Sequence, residues 1–306
     1  MARIAVPPIK CQGIKTKLVP WIKKHVNWSG EGRWIEPFFG SGVVGFNVRP
    51  KRAIFCDNNP HIIRFYQDVN SGKITPAVVR RFLEEEGALL SEQGEDYYYE
   101  VRKRFNTTHN PLDFLFLNRS CFNGVIRFNS KGGFNVPFNH KPERFSKAYI
   151  TKVVNQVISV RRLCQVSEWN FICQDFRETF SLVEESDFVY CDPPYVGRHT
   201  DYFNTWGENE ETELFRSLSK CKAQFILSTW HSNQHRHNQY IDQFWASFHI
   251  VTRDHFYHVG AKEKNRKPML EALVMNYAPP VEKKQKVEEY FQPRLLESRT
   301  SYSANS

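Results

Sequence analysis

Cysteine is scarce in this chain: 7 of 306 residues, an odd number, with no Cys-x-x-Cys pair. That spacing holds no disulfide framework, and the thiols read as reduced cysteines of a cytosolic protein. Long apolar runs are missing too. No stretch approaches the length of a membrane-spanning helix, and Met1 to Pro8 lacks the apolar core of a signal peptide. A soluble intracellular protein is therefore expected. No Ser-His-Asp or reactive-cysteine arrangement is legible. Histidines gather at His231, His235 and His237, but without the cysteine or carboxylate spacing of a metal site, so no metal is expected. Against these absences, hydrophobic residues make up 41% of the chain and aromatics 15%, enough for one large core or two modest ones. The formal net charge of +9 is spread along most of the chain and favours a polyanionic partner.

The stretch that organises the rest runs from Val189 to Tyr195 and reads Val-Tyr-Cys-Asp-Pro-Pro-Tyr. The apolar run Asp187 to Cys191 predicts a buried parallel strand. Pro193 and Pro194 force the chain out of the sheet at the strand's carboxyl end, where open α/β sheets bind ligands. Asp192 and the Pro193 carbonyl are fixed acceptors, and Tyr195 offers a flat apolar face. Two acceptors beside a stacking surface suit an aromatic ring that carries an exocyclic amine. Hydrogen bonds from that amine would favour a pyramidal nitrogen and stabilise the charge developing there during attack. A strand followed by a proline-rich turn is the bland alternative.

Earlier in the chain, Val6 to Trp21 predicts a basic loop with Lys10, Lys15 and Lys17 leading into a short helix. It is either a solvated arm or a lid carrying a lysine to an anion. In Arg33 to Val48 a short strand ends at Glu36-Pro37, and Gly40-Ser41-Gly42 opens an apolar helix. Glycines at such a turn let a ligand approach the backbone. A phosphate cradle is not expected; the preceding acid suits an ammonium or hydroxyl group. Asp57 follows the next strand at the spacing expected of a ribose-binding acid. Ser71 to Arg104 reads as helical and lies outside the sheet. In Phe114 to Phe138, asparagines interleave with Phe122, Phe128 and Phe134, Arg119, Arg127 and Lys131. Asn-Gly and Gly-Gly pairs predict a hairpin. Asparagine, arginine and exposed aromatics suit base edges and unstacked bases, although an aromatic-stapled structural loop has the same composition. Strands are expected at Asn170 to Cys173, Phe225 to Trp230, His249 to His258 and Leu270 to Tyr277, the last two as an antiparallel closing hairpin. Arg198 to Glu213 reads as a mobile loop, and residues 281–306 as a disordered tail.

Together these motifs resemble the adenine-N6 DNA methyltransferases of the Dam type, the alpha-ordered group, over roughly Pro7 to Tyr277. Asp192-Pro193-Pro194-Tyr195 matches the family's catalytic motif, and Glu36-Pro37-Phe38-Phe39-Gly40-Ser41-Gly42 its cofactor loop. Asp57 matches the ribose-holding acid, and Asp175-Phe176 the pair beside the cofactor adenine. Leu117 to Phe138 resembles the DNA-reading hairpin. Two departures stand out: Lys10-Cys11-Gln12-Gly13-Ile14-Lys15 where relatives have Lys-Trp-Ala-Gly-Gly-Lys, and Cys121 where many have glycine.

The resemblance implies a Rossmann-like methyltransferase sheet of α/β class with a closing antiparallel hairpin, and an inserted, mainly helical recognition domain carrying a β-hairpin. Residues 1–70 and 151–280 would form the catalytic domain and 71–150 the recognition domain. It implies S-adenosylmethionine as cofactor, with Cys11, Lys15, Glu36, Pro37, Phe38, Gly40, Asp57, Asp175, Phe176 and Asp192 around it. Lys10, Asn118, Arg119, Phe122, Asn123, Arg127 and Asn135 would meet double-stranded DNA, with Arg127 and Lys10 on guanines and GATC the first site to test. A cytoplasmic monomer is expected, with room for a cognate restriction endonuclease. The rivals are an RNA methyltransferase of the same fold, which would lack this hairpin, and a non-catalytic DNA-binding protein, which would not need Glu36, Asp57, Asp175 and Asp192.

Overall fold

The computed structural model describes residues 4–196, 206–256 and 268–279. Strands β1 (Trp34–Glu36), β2 (Arg52–Asp57), β3 (Glu168–Cys173), β4 (Phe188–Cys191), β5 (Gln224–Ser232), β6 (His249–Phe256) and β7 (Pro268–Met275) form one 7-stranded sheet in the order β3-β2-β1-β4-β5-β7-β6. The first five run parallel, and β7 enters antiparallel between β5 and β6. β1 and β4 are buried throughout, as parallel strands covered on both faces must be. Alternation divides their side chains cleanly. Trp34, Phe55, Phe188, Tyr190, Ile226 and Leu273 enter one core; Ile35, Ile54, Val189, Cys191, Leu227 and Val274 enter the other. A one-residue slip would exchange the two sets, so this patterning fixes the register.

The helices are α1 (Val19–His25), α2 (Gly45–Val48), α3 (Pro60–Ser71), α4 (Pro76–Gln93), α5 (Glu95–Thr108), α6 (Pro111–Ser120), α7 (Lys147–Gln165), α8 (Phe176–Phe180) and α9 (Glu208–Lys220). Three begin with a capping residue followed by proline. Asn59 accepts from the His61 and Ile62 amides, Thr75 from Val78 and Asn110 from Leu112. Each cap satisfies amides that a helix start leaves without partners, and proline there has no amide to lose. α4, α5 and α6 lie in the insertion between α3 and α7. Phe105, Phe114, Phe134 and Phe138 from this insertion belong to the same continuous core as Trp34 and Phe55. No helix among the described residues is long and apolar enough to cross a membrane.

Two local expectations are corrected. The hairpin over Phe114 to Phe138 does not form a ladder. Its first part is the end of α6, and antiparallel pairing survives only as isolated bridges, Cys121 with Phe138 and Phe128 with Phe134. Side-chain amides supply the missing bonds: Asn129 Oδ1 accepts from the Lys131 and Gly133 amides, and Asn106 bonds both backbone groups of Phe134. Asparagines that bond locally compete with a regular ladder. The loop expected to reach Glu213 ends earlier, because α9 starts at Glu208. The Glu210 carboxylate accepts from the Gly207 amide at 2.9 Å, and acids in a first helical turn are favourable. Residues 197–205, His258 and the tail from 281 lie outside the described residues.

Candidate active site

The chain reverses direction across the sheet between β1 and β4, the switch point at which open α/β sheets place ligands. Acids stand at the carboxyl ends here: Glu36 closes β1, Asp57 closes β2, Asp175 follows β3 and Asp192 follows β4. Beyond Asp192 the prolines carry the chain to Tyr195, as their lack of backbone donors requires.

Asp192 is met from the N-terminal arm. Lys15, 3% exposed, places Nζ 2.9 Å from Asp192 Oδ1. The same ammonium donates to the Gly13 carbonyl and stands 4.8 Å from the centroid of the Tyr195 ring. Burial pushes the Asp192 carboxyl above its ordinary range, Lys15 opposes this, and Glu271 adds to it. The Tyr195 hydroxyl donates to Glu271 Oε2 at 2.6 Å, and its ring packs with Trp230 and Met269. Glu271 was missed by sequence reasoning. Its signal was a carboxylate inside the apolar run Pro-Met-Leu-Glu-Ala-Leu-Val-Met, at a period-two position shared with the buried Leu273.

Glu36 is buried, with Trp34 Nε1 donating to its Oε1 at 2.7 Å. Burial raises its pKa to about 8, with Asp192 contributing in the same direction. A carboxyl whose folded pKa exceeds its ordinary value of 4.5 stabilises the fold fully below pH 4.5, and loses that contribution as pH rises through about 8. Wild-type stability should fall relative to Glu36→Gln by about 1.4 kcal/mol per pH unit across this window. Urea unfolding at several pH values checks this, and a pH-independent difference would refute it.

The expectation of no phosphate cradle, which rests on the turn lacking the Gly-x-Gly-x-x-Gly spacing, is corrected in its ground: Gly40, Gly42 and Gly45 carry that spacing. Each glycine has a local reason. Gly40 has φ 51° and donates its amide to Asp57 Oδ2 at 2.7 Å; Gly42 has φ 75°. A Cβ on Gly45 would come within 2.5 Å of the Phe55 ring and 2.9 Å of Glu36 Oε1, so the third glycine serves close packing of α2 on the sheet. Asp57 also accepts from the Asn59 amide, and burial raises its pKa against these bonds. Pro37 is buried. Phe38 lies 5.3 Å from both Phe176 and Trp206, measured between ring centroids. Asp175 caps α8 through the Arg177 amide and pairs with the Arg177 guanidinium, which covers the Phe176 ring. Burial pushes the Cys11 thiol up, so it is not a reactive thiolate.

The expected DNA-facing residues separate into two groups. Asn118 and Arg119 are corrected: both are buried and tie the N-terminal arm to α6. The Asn118 amide bonds the Lys10 backbone in both directions, at 2.8 and 2.9 Å. Arg119 donates to the carbonyls of Pro7 and Pro8 and to Gln156 Oε1. The others remain at or near the surface. Phe122 is 54% exposed, Asn123 has φ 55°, and Lys10 folds its side chain across Gly124. Burial lowers the Lys10 pKa. Arg127 Nε donates to Asn135 Oδ1 at 2.8 Å. Gln12 exchanges two bonds with the Ile126 backbone. The N-terminal arm thus touches both the Asp192 site and the segment that follows α6.

The strand order, with β7 antiparallel between β5 and β6, is that of Rossmann-like methyltransferases, and this defines the class. Residues 12–259 match the family model for D12 class N6 adenine-specific DNA methyltransferases. The chain is 33% identical to a DNA adenine methylase of Vibrio cholerae, over 76% of this chain and 83% of that protein. It is 28% identical to the Type II methyltransferase M.MjaIII of Methanocaldococcus jannaschii, over 89% of this chain and 99% of that protein. With Modification methylase StsI of Streptococcus sanguinis the identity is 29% over 88% of this chain, which spans only 42% of that relative's length. The chain belongs to the D12 class family of N6 adenine-specific DNA methyltransferases.

Proposed function

We propose that this protein transfers a methyl group from S-adenosylmethionine to the exocyclic N6 amine of an adenine flipped out of duplex DNA. The observation that carries this reading is the seat at Asp192. An N–H donor, the Lys15 ammonium, already lies 2.9 Å from the Asp192 carboxylate and 4.8 Å from the Tyr195 ring centroid. A base stacked on Tyr195 would bring its amine to the same acceptor.

The residues at the switch point fit the cofactor by their chemistry. Asp57 and Asp175 offer acceptors for hydroxyl and amine groups, Phe38 and Phe176 offer apolar rings for an adenine, and the glycine turn permits close approach. Glu36, Pro37, Gly40, Cys11, Lys15 and Asp192 would complete the surround. When bound, the cofactor supplies an electrophilic sulfonium methyl. Asp192 and the Pro193 carbonyl accept the two N–H groups of the adenine amine, keep its lone pair available and aim it in line. Pro194 fixes the turn, and Tyr195 supports the ring from below. Lys15 must release Asp192 as the amine arrives. The methylated, cationic amine then loses its proton readily.

Extruding the base costs a few kcal/mol (~), and Phe122 is the wedge for the vacated stack. Residues 71–150 serve as the recognition insertion, and GATC is the first site to test. The relatives' names, modification methylase and Type II methyltransferase, support a cognate restriction endonuclease as partner. The protein acts as a monomer in the cytoplasm. Mapping of N6-methyladenine in duplex DNA and RNA incubated with the protein and S-adenosylmethionine tests this. No methyladenine in DNA overturns it, and methylation of RNA alone would favour the RNA reading.

Arg127 is proposed to read a guanine. Releasing Asn135 frees its fork for the guanine O6 and N7 edge, so Arg127→Ala should cost about 1–3 kcal/mol at one base position. Binding to a panel of single-base-changed duplexes checks this. Equal weakening on every duplex would mean that Arg127 contacts only phosphate.

A further inference from the structure

Glu271 is a carboxyl group placed where side chains are apolar. It is fully buried on β7, between Leu270 and Ala272, and opposite Trp230 of β5 and Arg253 of β6 in the sheet register. Burying a carboxylate costs several kcal/mol (~) unless hydrogen bonds or charges compensate. One compensating donor is the Tyr195 hydroxyl at 2.6 Å, a length typical of a charge-assisted O–H···O bond. Trp230 and Met269 pack against the same tyrosine ring. Asp192 and His255 are close enough to feel the charge of Glu271.

Tyr195 leaves the sheet on a loop, behind two prolines. Packing against Trp230 and Met269 confines the faces of its ring, and the bond at the far end pins the ring's tip and with it the tilt of the ring. We infer that Glu271 is a positioning residue for methyl transfer: it anchors the Tyr195 hydroxyl and so fixes the plane on which the target adenine stacks. The inference rests on Tyr195 as the stacking platform proposed above. A tilted platform would misaim the amine at Asp192 without weakening the contacts that hold the DNA, and small misplacements of a reacting group are costly in rate.

The test uses the full chain, duplex DNA and S-adenosylmethionine, with four variants: Glu271→Ala, Glu271→Gln, Tyr195→Phe and Tyr195→Phe/Glu271→Ala. Loss of one charge-assisted bond should lower kcat roughly tenfold or more. KM for DNA should stay within about twofold, as expected when the lost interaction acts only on alignment. Glu271→Gln keeps an acceptor and should recover most of the rate. Tyr195→Phe should reproduce Glu271→Ala, and the double variant should be no slower than either single, because all three lack the same bond. A 2-aminopurine at the target position supplies an independent readout. Its fluorescence should be brighter in the Ala and Phe variants than in wild type, where a well-seated ring is quenched by stacking.

Additive losses in the double variant, or a Tyr195→Phe enzyme with wild-type kcat and fluorescence, would overturn the inference. Should Glu271→Ala fail to fold, Tyr195→Phe and Glu271→Gln carry the same decision. A failure of the underlying platform is separately visible: Tyr195→Ala would then methylate at the wild-type rate, which a misaligned platform cannot do.

Discussion

Asp192→Ala should slow methyl transfer by about 10²-fold or more, the usual scale for losing one preorganised group that stabilises developing charge. The variant removes the only one of the two proposed amine acceptors that a side-chain change can reach, since the other is the Pro193 carbonyl. It also leaves the Lys15 ammonium, 3% exposed, without its carboxylate. Breaking a buried pair from one side typically costs about 3–5 kcal/mol. Asp192 is itself 22% exposed, so solvent screening argues for the low end of that range. Asp192→Asn separates the two effects, because the amide keeps the shape and one acceptor while dropping the charge. Single-turnover methylation should therefore be reported beside thermal unfolding for both variants. Residual transfer above a tenth of wild type in a folded Asp192→Ala protein would remove Asp192 from the chemistry.

Arg119→Met should be the most damaging substitution among the residues first expected to face DNA, and the damage should be to the fold. Its guanidinium serves the carbonyls of Pro7 and Pro8 and the side chain of Gln156 inside the protein. Hydrogen bonds from a charged donor contribute about 1.5–3 kcal/mol each, and acceptors left buried without a partner cost more than the bond itself was worth. A loss of about 3 kcal/mol or more is expected, read as a lower denaturation midpoint. Affinity of the folded variant for DNA should change by less than about twofold. The opposite result, with unchanged stability and lost affinity, would return Arg119 to the DNA contacts.

These two residues illustrate what the chain discloses before it is folded. Asp192 was legible because its signal is local: an apolar run, an acid, two prolines and an aromatic determine a strand end whatever surrounds it. The helix starts at Asn59, Thr75 and Asn110 were legible for the same reason. Arg119 and Asn118 were not, because their partners lie at Pro7, Pro8 and Lys10, more than a hundred positions away. Residue types that read bases are also those that satisfy buried carbonyls, and only burial tells the two apart. Glu271 was invisible in a different way. A single acid in an apolar strand reads as an exception to the pattern until Tyr195 is brought against it.

The continuous core bears on how such a protein can diversify. Phe105, Phe114 and Phe134 of the insertion are packed in the same cluster as Trp34 and Phe55 of the sheet, so the two halves are not interchangeable cassettes. Exchanging residues 71–150 wholesale with a relative would set foreign rings against the sheet's own, and overpacking or voids of that kind commonly cost several kcal/mol (~). On the proposed reading of Phe122, Asn123 and Arg127 as DNA contacts, a change of target site is far cheaper at these three positions, none of which belongs to the buried cluster. New specificities in this lineage should therefore arise by substitutions there, with the buried rings inherited as a set.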